Sequence, residues 1–207
     1  MVGAGVVGAG VVGAGVRAPA RERLLDAAEE LFYERGIAAT GVDAVLRRAR
    51  VAPATLYAHF AGKDYLVAAY LQRRHELWRT IWDEALQRCG DDPDKRALSV
   101  FDALDELHRR QETTRGCAFL AAAVEVTDPQ HPAHQWLAAD TQLLDDRLHA
   151  LAADTGAADP DALAAELFLL YDGALAARAR RAITANGQPI PPTTRALAAA
   201  AIARHRA

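Results

Sequence analysis

"VAPATLYAHFAGKDYL", residues 51–66, places Thr55, Tyr57, His59 and Lys63 within nine positions, beside Leu56, Phe60 and Leu66. Three readings compete for such a cluster: an active site, a patch that holds an anion, or the wet side of an ordinary helix. Pro53 suits the first turn of a helix, because its missing N–H would have no partner there anyway. The spacing therefore predicts a short helix over 53–59, stopped before Gly62.

Upstream, Val42, Val45 and Leu46 give a second short helix over 42–49, after Thr40-Gly41. Two short helices with a tight joint form the layout of a helix-turn-helix, in which the first helix braces the second in the major groove. Val45, Leu46, Val51, Leu56 and Phe60 then hold the pair together from inside. Thr55, Tyr57 and His59 lie on other faces, where hydroxyl and imidazole groups donate to phosphates. Lys63 opens the next helix, where its charge and the free backbone N–H groups favour an anion.

The flanking sequence is helical almost throughout. Leu24, Leu25, Ala28, Leu31 and Phe32 form one apolar stripe that stops at Gly36. A long helix over 63–88 carries Leu66, Tyr70, Leu77, Trp78, Ile81 and Trp82. Further helices are expected near 94–111, 117–126, 133–153, 160–184 and 193–205, with breaks at Gly, Asp and Pro clusters. No β alternation competes. The expected fold is all-α, with an N-terminal three-helix helix-turn-helix domain over 17–65 and a larger helical bundle over 66–207.

Charge is uneven along the chain. Residues 17–63 carry eight Lys/Arg against six Asp/Glu, whereas 64–207 carry sixteen against twenty-one. A basic start on an acidic body points to an anionic partner at one end. Residues 2–16 repeat VGAGV three times. The stretch is apolar, and Ala18-Pro19-Ala20 mimics a signal-peptidase site, but no positive segment precedes it. With six glycines it makes a poor helix and is too short to span a bilayer, so 1–16 reads as a low-complexity disordered tail. Two cysteines make no disulfide framework and no CxxC pair suggests zinc, which makes the reducing cytoplasm the default location. No cofactor is expected.

Residues 21–70, "RERLLDAAEELFYERGIAATGVDAVLRRARVAPATLYAHFAGKDYLVAAY", resemble the DNA-binding domain of the TetR family of transcriptional regulators. The T-L-Y-x-H-F-x-x-K-x-x-L core carries the resemblance in Thr55, Leu56, Tyr57, His59, Phe60, Lys63 and Leu66. "GCAFLAAAVEV", residues 116–126, resembles one branch of the family's C-terminal domains less specifically. The resemblance implies a homodimer on a palindromic double-stranded operator, a C-terminal domain that binds a small-molecule effector and dimerises, and phosphate contacts from Thr55, Tyr57, His59 and Lys63.

Three positions depart from the family pattern. Arg50 stands where the turn often has Gly, so it must accommodate any positive φ. Gly41 replaces the usual capping Thr, so either Thr40 substitutes for it or the phosphate contact is lost. Ala52, Pro53 and Ala54 replace polar base readers, so thymine-methyl contacts, with Arg48 or Arg50, are expected to carry the readout.

In the body, Trp78, Trp82, Phe101, Phe119, Trp136 and Tyr171 fall on five expected helices. Core packing is the plain reading. The functional one is a partly apolar effector cavity, with His108 or Glu125 to orient the ligand. His131 with His134, and His108 with Glu112, form no recognisable metal set. Apolar faces at Leu163, Leu167, Leu170 and Leu175, and at Leu197, Ala200 and Ile202, suit dimerisation through the last two helices. An enzyme finds no nucleophile paired with an oriented base. A helical DNA- or partner-binding protein with little sequence preference remains the alternative.

Overall fold

The computed structural model describes residues 18–111, 116–183 and 192–206. The VGAGV repeat and Glu112 lie outside them. Nine helices run through the described residues: α1 (Ala20–Arg35), α2 (Val42–Ala49), α3 (Pro53–His59), α4 (Lys63–Cys89), α5 (Pro93–Gln111), α6 (Ala118–Glu125), α7 (His134–Asp154), α8 (Pro160–Ile183) and α9 (Pro192–His205). The all-α expectation holds. The short helices α2 and α3 span the residues read from Pro53 and the Val42-Val45-Leu46 face.

Two apolar clusters organise the chain. One joins Leu24, Leu31 and Phe32 of α1 to Val45, Leu46, Leu56 and Phe60, then to the first three turns of α4 through Leu66, Val67 and Leu71. It also takes in Ala118 and Ala122 of α6, which packs against α4 and α7. The other cluster lies between α4, α5, α7, α8 and α9 around Trp78, Trp82, Phe101, Leu148 and Leu167. The long α4 runs through both and joins them.

The turn after α2 has the shape its sequence resists. Arg50 sits at φ 54° and ψ 52°, the only non-glycine with positive φ among the described residues. Its N–H returns to Arg47, and Val51 N–H to the Leu46 carbonyl at 3.2 Å. Arg23 of α1 donates to the carbonyls of Ala49 and Arg50 at 3.4 and 3.3 Å, satisfying the open end of α2.

Gly36, which ends α1, has φ 93° and faces the Glu125 carboxylate, whose Oε1 is 3.0 Å from where a Cβ would stand. Gly36→Ala therefore combines backbone strain with a displaced carboxylate. It is expected to cost about 1–3 kcal/mol, read as a lower midpoint in urea denaturation.

Candidate nucleic-acid interface

The reading helix is held from below and open above. Leu56 is fully buried, while Ala52, Pro53, Ala54, Tyr57 and His59 are exposed, Tyr57 by 64%. Thr55 and Lys63 are half-buried at the two ends of the same surface. Phe60 fills the joint between α3 and α4, with the Arg21 guanidinium 5.5 Å from its ring centre. The result is one solvent-facing ridge with a hydroxyl, a phenol, an imidazole and an ammonium along it, all of them donors suited to phosphate oxygens.

Two of the expected contacts sit elsewhere. Thr40 is buried, and its hydroxyl faces the carbonyls of Leu31 and Gly36 at 3.2 and 2.7 Å. Its single hydrogen is used inside the head, so it ties the α1–α2 turn rather than meeting a phosphate, and α2 has no side-chain cap. Arg48 lies against α1, making a two-pronged pair with Glu30 at 2.7 and 2.5 Å. Reaching a base requires Arg48 to leave that carboxylate.

A groove of about 810 Å³ opens between Phe32, Arg35 and Ile37 on the head side and α6 and α8 on the other. A separate slot of about 30 Å³ lies deeper, among α4, α5, α7 and α8. Tyr33, Gly116, Cys117, Ala118 and Leu175 border both. Of the residues expected to meet an effector, Trp78, His108, Phe119 and Tyr171 come together around the slot. Trp82 and Phe101 do not, because both are core: the Trp82 indole donates to Ser99 at 2.9 Å. Trp136 packs against His75, with ring centres 5.8 Å apart.

Glu125 borders the groove, and its carboxylate also ties two elements together. It accepts the Ala38 N–H at 2.6 Å, binding the end of α6 to the α1–α2 turn. A carboxylate at a helix C-terminus opposes the helix dipole, so this outside contact is what favours it there. At the other end of α6, the Tyr33 hydroxyl donates to the Gly116 carbonyl at 3.5 Å.

Sequence reasoning missed Tyr33 and Asp140. The signal for Asp140 was present, since stepping back from Leu151, Leu148 and Leu144 puts position 140 on the inward stripe of α7. Its Oδ1 is buried without a hydrogen-bond partner, 3.6 Å from His75 Nδ1, which is also unpartnered. Burial pushes the Asp140 carboxyl up to about 7, against the pull of Arg74. Burial, with Arg79 and Arg147, lowers His75. The contact is therefore between a carboxyl group and a neutral imidazole, not an ion pair.

The folded protein holds the Asp140 proton up to about pH 7, whereas an unfolded chain releases it near pH 4. Stability is lost across that interval as pH rises. Asp140→Asn, always neutral, should match the parent at pH 4 and exceed it at pH 8 by about 1 kcal/mol or more, roughly 2–4 °C in melting temperature. Calorimetric melting across pH checks this.

Among the described residues, no three His, Cys, Asp or Glu side chains are placed to share a metal ion. No described helix is long and apolar enough to cross a membrane.

The sequence profile of bacterial regulatory proteins of the tetR family matches residues 24–70, the span that builds this ridge. A TetR-family transcriptional regulator from Streptomyces coelicolor superimposes with a TM-score of 0.81 at 32% identity, over 91% of this chain and 96% of that one. The chain belongs to the TetR family. As a TetR-family protein it is a DNA-binding transcriptional regulator with an N-terminal helix-turn-helix. The transcriptional activator FasR of Mycolicibacterium smegmatis is 32% identical over 114 residues, 55% of this chain and 51% of FasR. The chain thus spans about half the length of that relative, and 30% of the regulator UidR of Escherichia coli. The Escherichia coli regulator YjdC is 28% identical over 75% of this chain and 81% of its own length.

Proposed function

We propose that this TetR-family protein is a homodimeric repressor that leaves a palindromic operator when a partly apolar small molecule binds its body. The observation that carries the reading is the position of the large groove. It lies between the head and α6, whose two ends are tied to the head through Tyr33 and Glu125. A ligand that enters it must act on the joint that sets the attitude of the reading helix.

In this reading the head reaches to about residue 65 and the body follows. Thr55, Tyr57, His59 and Lys63 grip phosphates, and Ala52, Pro53, Ala54 and Arg50 meet base edges. Two heads about 34–36 Å apart enter successive major grooves. Leu163, Leu167, Leu175 and Ile202, expected on the dimer faces, are taken up by the intramolecular core, so pairing of α8 and α9 with their copies is supported by the exposed Leu169 and Leu197 instead. A reducing cytoplasm suits two free thiols. A ligand shifts the balance only by its differential affinity, so hundredfold weaker DNA binding needs about 2.7 kcal/mol of coupling.

Sedimentation tests the dimer, and a monomer at micromolar concentration overturns it. Operator titration with and without a bound ligand tests release, which fails if affinity is unchanged. A second reading, DNA binding with little sequence preference, is favoured by one feature: exposed Ala52, Pro53 and Ala54 offer no side-chain hydrogen bond to a base.

A further inference from the structure

We propose that the slot beside Tyr33 binds the ammonium group of an aromatic amine, with Asp140 as its counter-ion and the aromatic body of the ligand lying in the adjoining groove. This rests on the ligand-responsive reading above and names the chemistry of its ligand.

The slot, at about 30 Å³, has room for a group the size of a water molecule or an ammonium, and no more. Tyr33, Trp78, Phe119 and Tyr171 border it. Aromatic surroundings of this kind attract organic cations through the ring quadrupoles. Asp140 and His108 border it as well, and both present a buried polar atom without a partner, Oδ1 and Nδ1. Burial, helped by Arg178 and Arg74, holds His108 down to about 3, so its imidazole is neutral and one ring nitrogen can accept. An unpartnered imidazole nitrogen and a carboxyl group that becomes an acceptor on ionising, in one small space, suit a donor with more than one N–H, which a primary ammonium supplies.

Charge selects the same ligand. The one arginine on the slot wall, Arg74, already pairs with Glu29 at 3.2 Å. Asp140 makes no ion pair of its own: Arg74 pulls on it but is held by Glu29, and His75 stands 3.6 Å away and is neutral. A cation entering here gives Asp140 its missing counter-charge, whereas a carboxylate ligand meets another carboxyl group. Tyr171, buried, and Cys117, half-buried, also stand beside the slot and stay protonated, because burial raises both. The remainder of the ligand has space, since the groove's 810 Å³ falls in the range of small-molecule sites, about 300–1,000 Å³. Binding of the cation ionises Asp140 and passes its proton to solvent.

The test uses three probes of one shape: 2-(1-naphthyl)ethylamine, 2-(1-naphthyl)ethanol and 1-naphthylacetate, titrated calorimetrically at pH 7 into the full chain and into Asp140→Asn. The amine should bind at least about tenfold more tightly than the alcohol, and the acetate most weakly, a difference of about 1.4 kcal/mol or more. In Asp140→Asn the amine should fall to the level of the alcohol. Buffers of different ionisation enthalpy should reveal proton release with the parent and none with the variant. Equal binding of amine and alcohol, tighter binding of the acetate, an amine preference that survives in Asp140→Asn, or no binding of any probe would each overturn the proposal.

A parallel operator titration separates the two claims. Amine binding through Asp140 with unchanged operator affinity removes the release mechanism and leaves the site. Operator release by the acetate, with no amine binding, does the reverse.

Discussion

Tyr57→Ala should weaken binding to the operator by about tenfold or more while leaving thermal stability within about 0.5 kcal/mol. The phenol is 64% exposed on the ridge of α3, so its removal opens no cavity. Its loss deletes a hydrogen bond to a charged acceptor, worth roughly 1.5–3 kcal/mol when the acceptor is a phosphate. Lys63→Ala, at the start of α4, should give a comparable loss and also lower the slope of log affinity against log salt by about 1, because one fewer counterion is released. Fluorescence anisotropy on labelled operator, over a salt series, reads both. Unchanged affinity in either variant would remove that side chain from the interface.

One residue earlier the outcome reverses. Leu56→Ala is expected to destabilise the head by about 2–5 kcal/mol, because the side chain is fully buried and its neighbours are already packed. Leu24, Leu46, Phe60 and Leu66 come from four different segments and cannot all close on the space left behind. DNA binding should then be lost through unfolding of the reading helix rather than through any missing contact. Circular dichroism with hydrogen exchange distinguishes the two: amides of α1–α3 should exchange fast in Leu56→Ala, while those of α5, α7 and α8 stay protected. A variant that keeps head protection and still loses DNA binding would contradict this assignment of Leu56.

The contrast between neighbouring residues shows what could be read from the chain directly. Alternation of inward and outward positions is local, so Pro53, Leu56 and Phe60 revealed both the helix and which side of it faces solvent. Chain breaks at Gly36, Gly62 and Pro160 were equally local. Contacts across the fold were not. Thr40 looked like a cap because it precedes a helix, yet its hydroxyl is turned inward by the shape of the α1–α2 turn. Glu125 was read only as a polar group to orient a ligand, and its hydrogen-bond partner Ala38 lies 87 residues away. The aromatic side of the slot was half legible: Trp78, Phe119 and Tyr171 were found, but Trp82 belongs to the core, and Tyr33 enters from the head. Asp140 was hidden by its type, since a polar residue on a long helix is ordinarily assigned to the solvent face.

Sequence-specific DNA recognition is assigned to the α3 ridge. The most direct measurement selects bound fragments from genomic DNA, then compares affinity for the recovered site with that for its scrambled version across salt. A palindromic site should be bound about a thousandfold or more tightly than scrambled DNA, with the advantage lost in Tyr57→Ala and Lys63→Ala. Equal affinity for the two DNAs, or a preference that survives both substitutions, would contradict it.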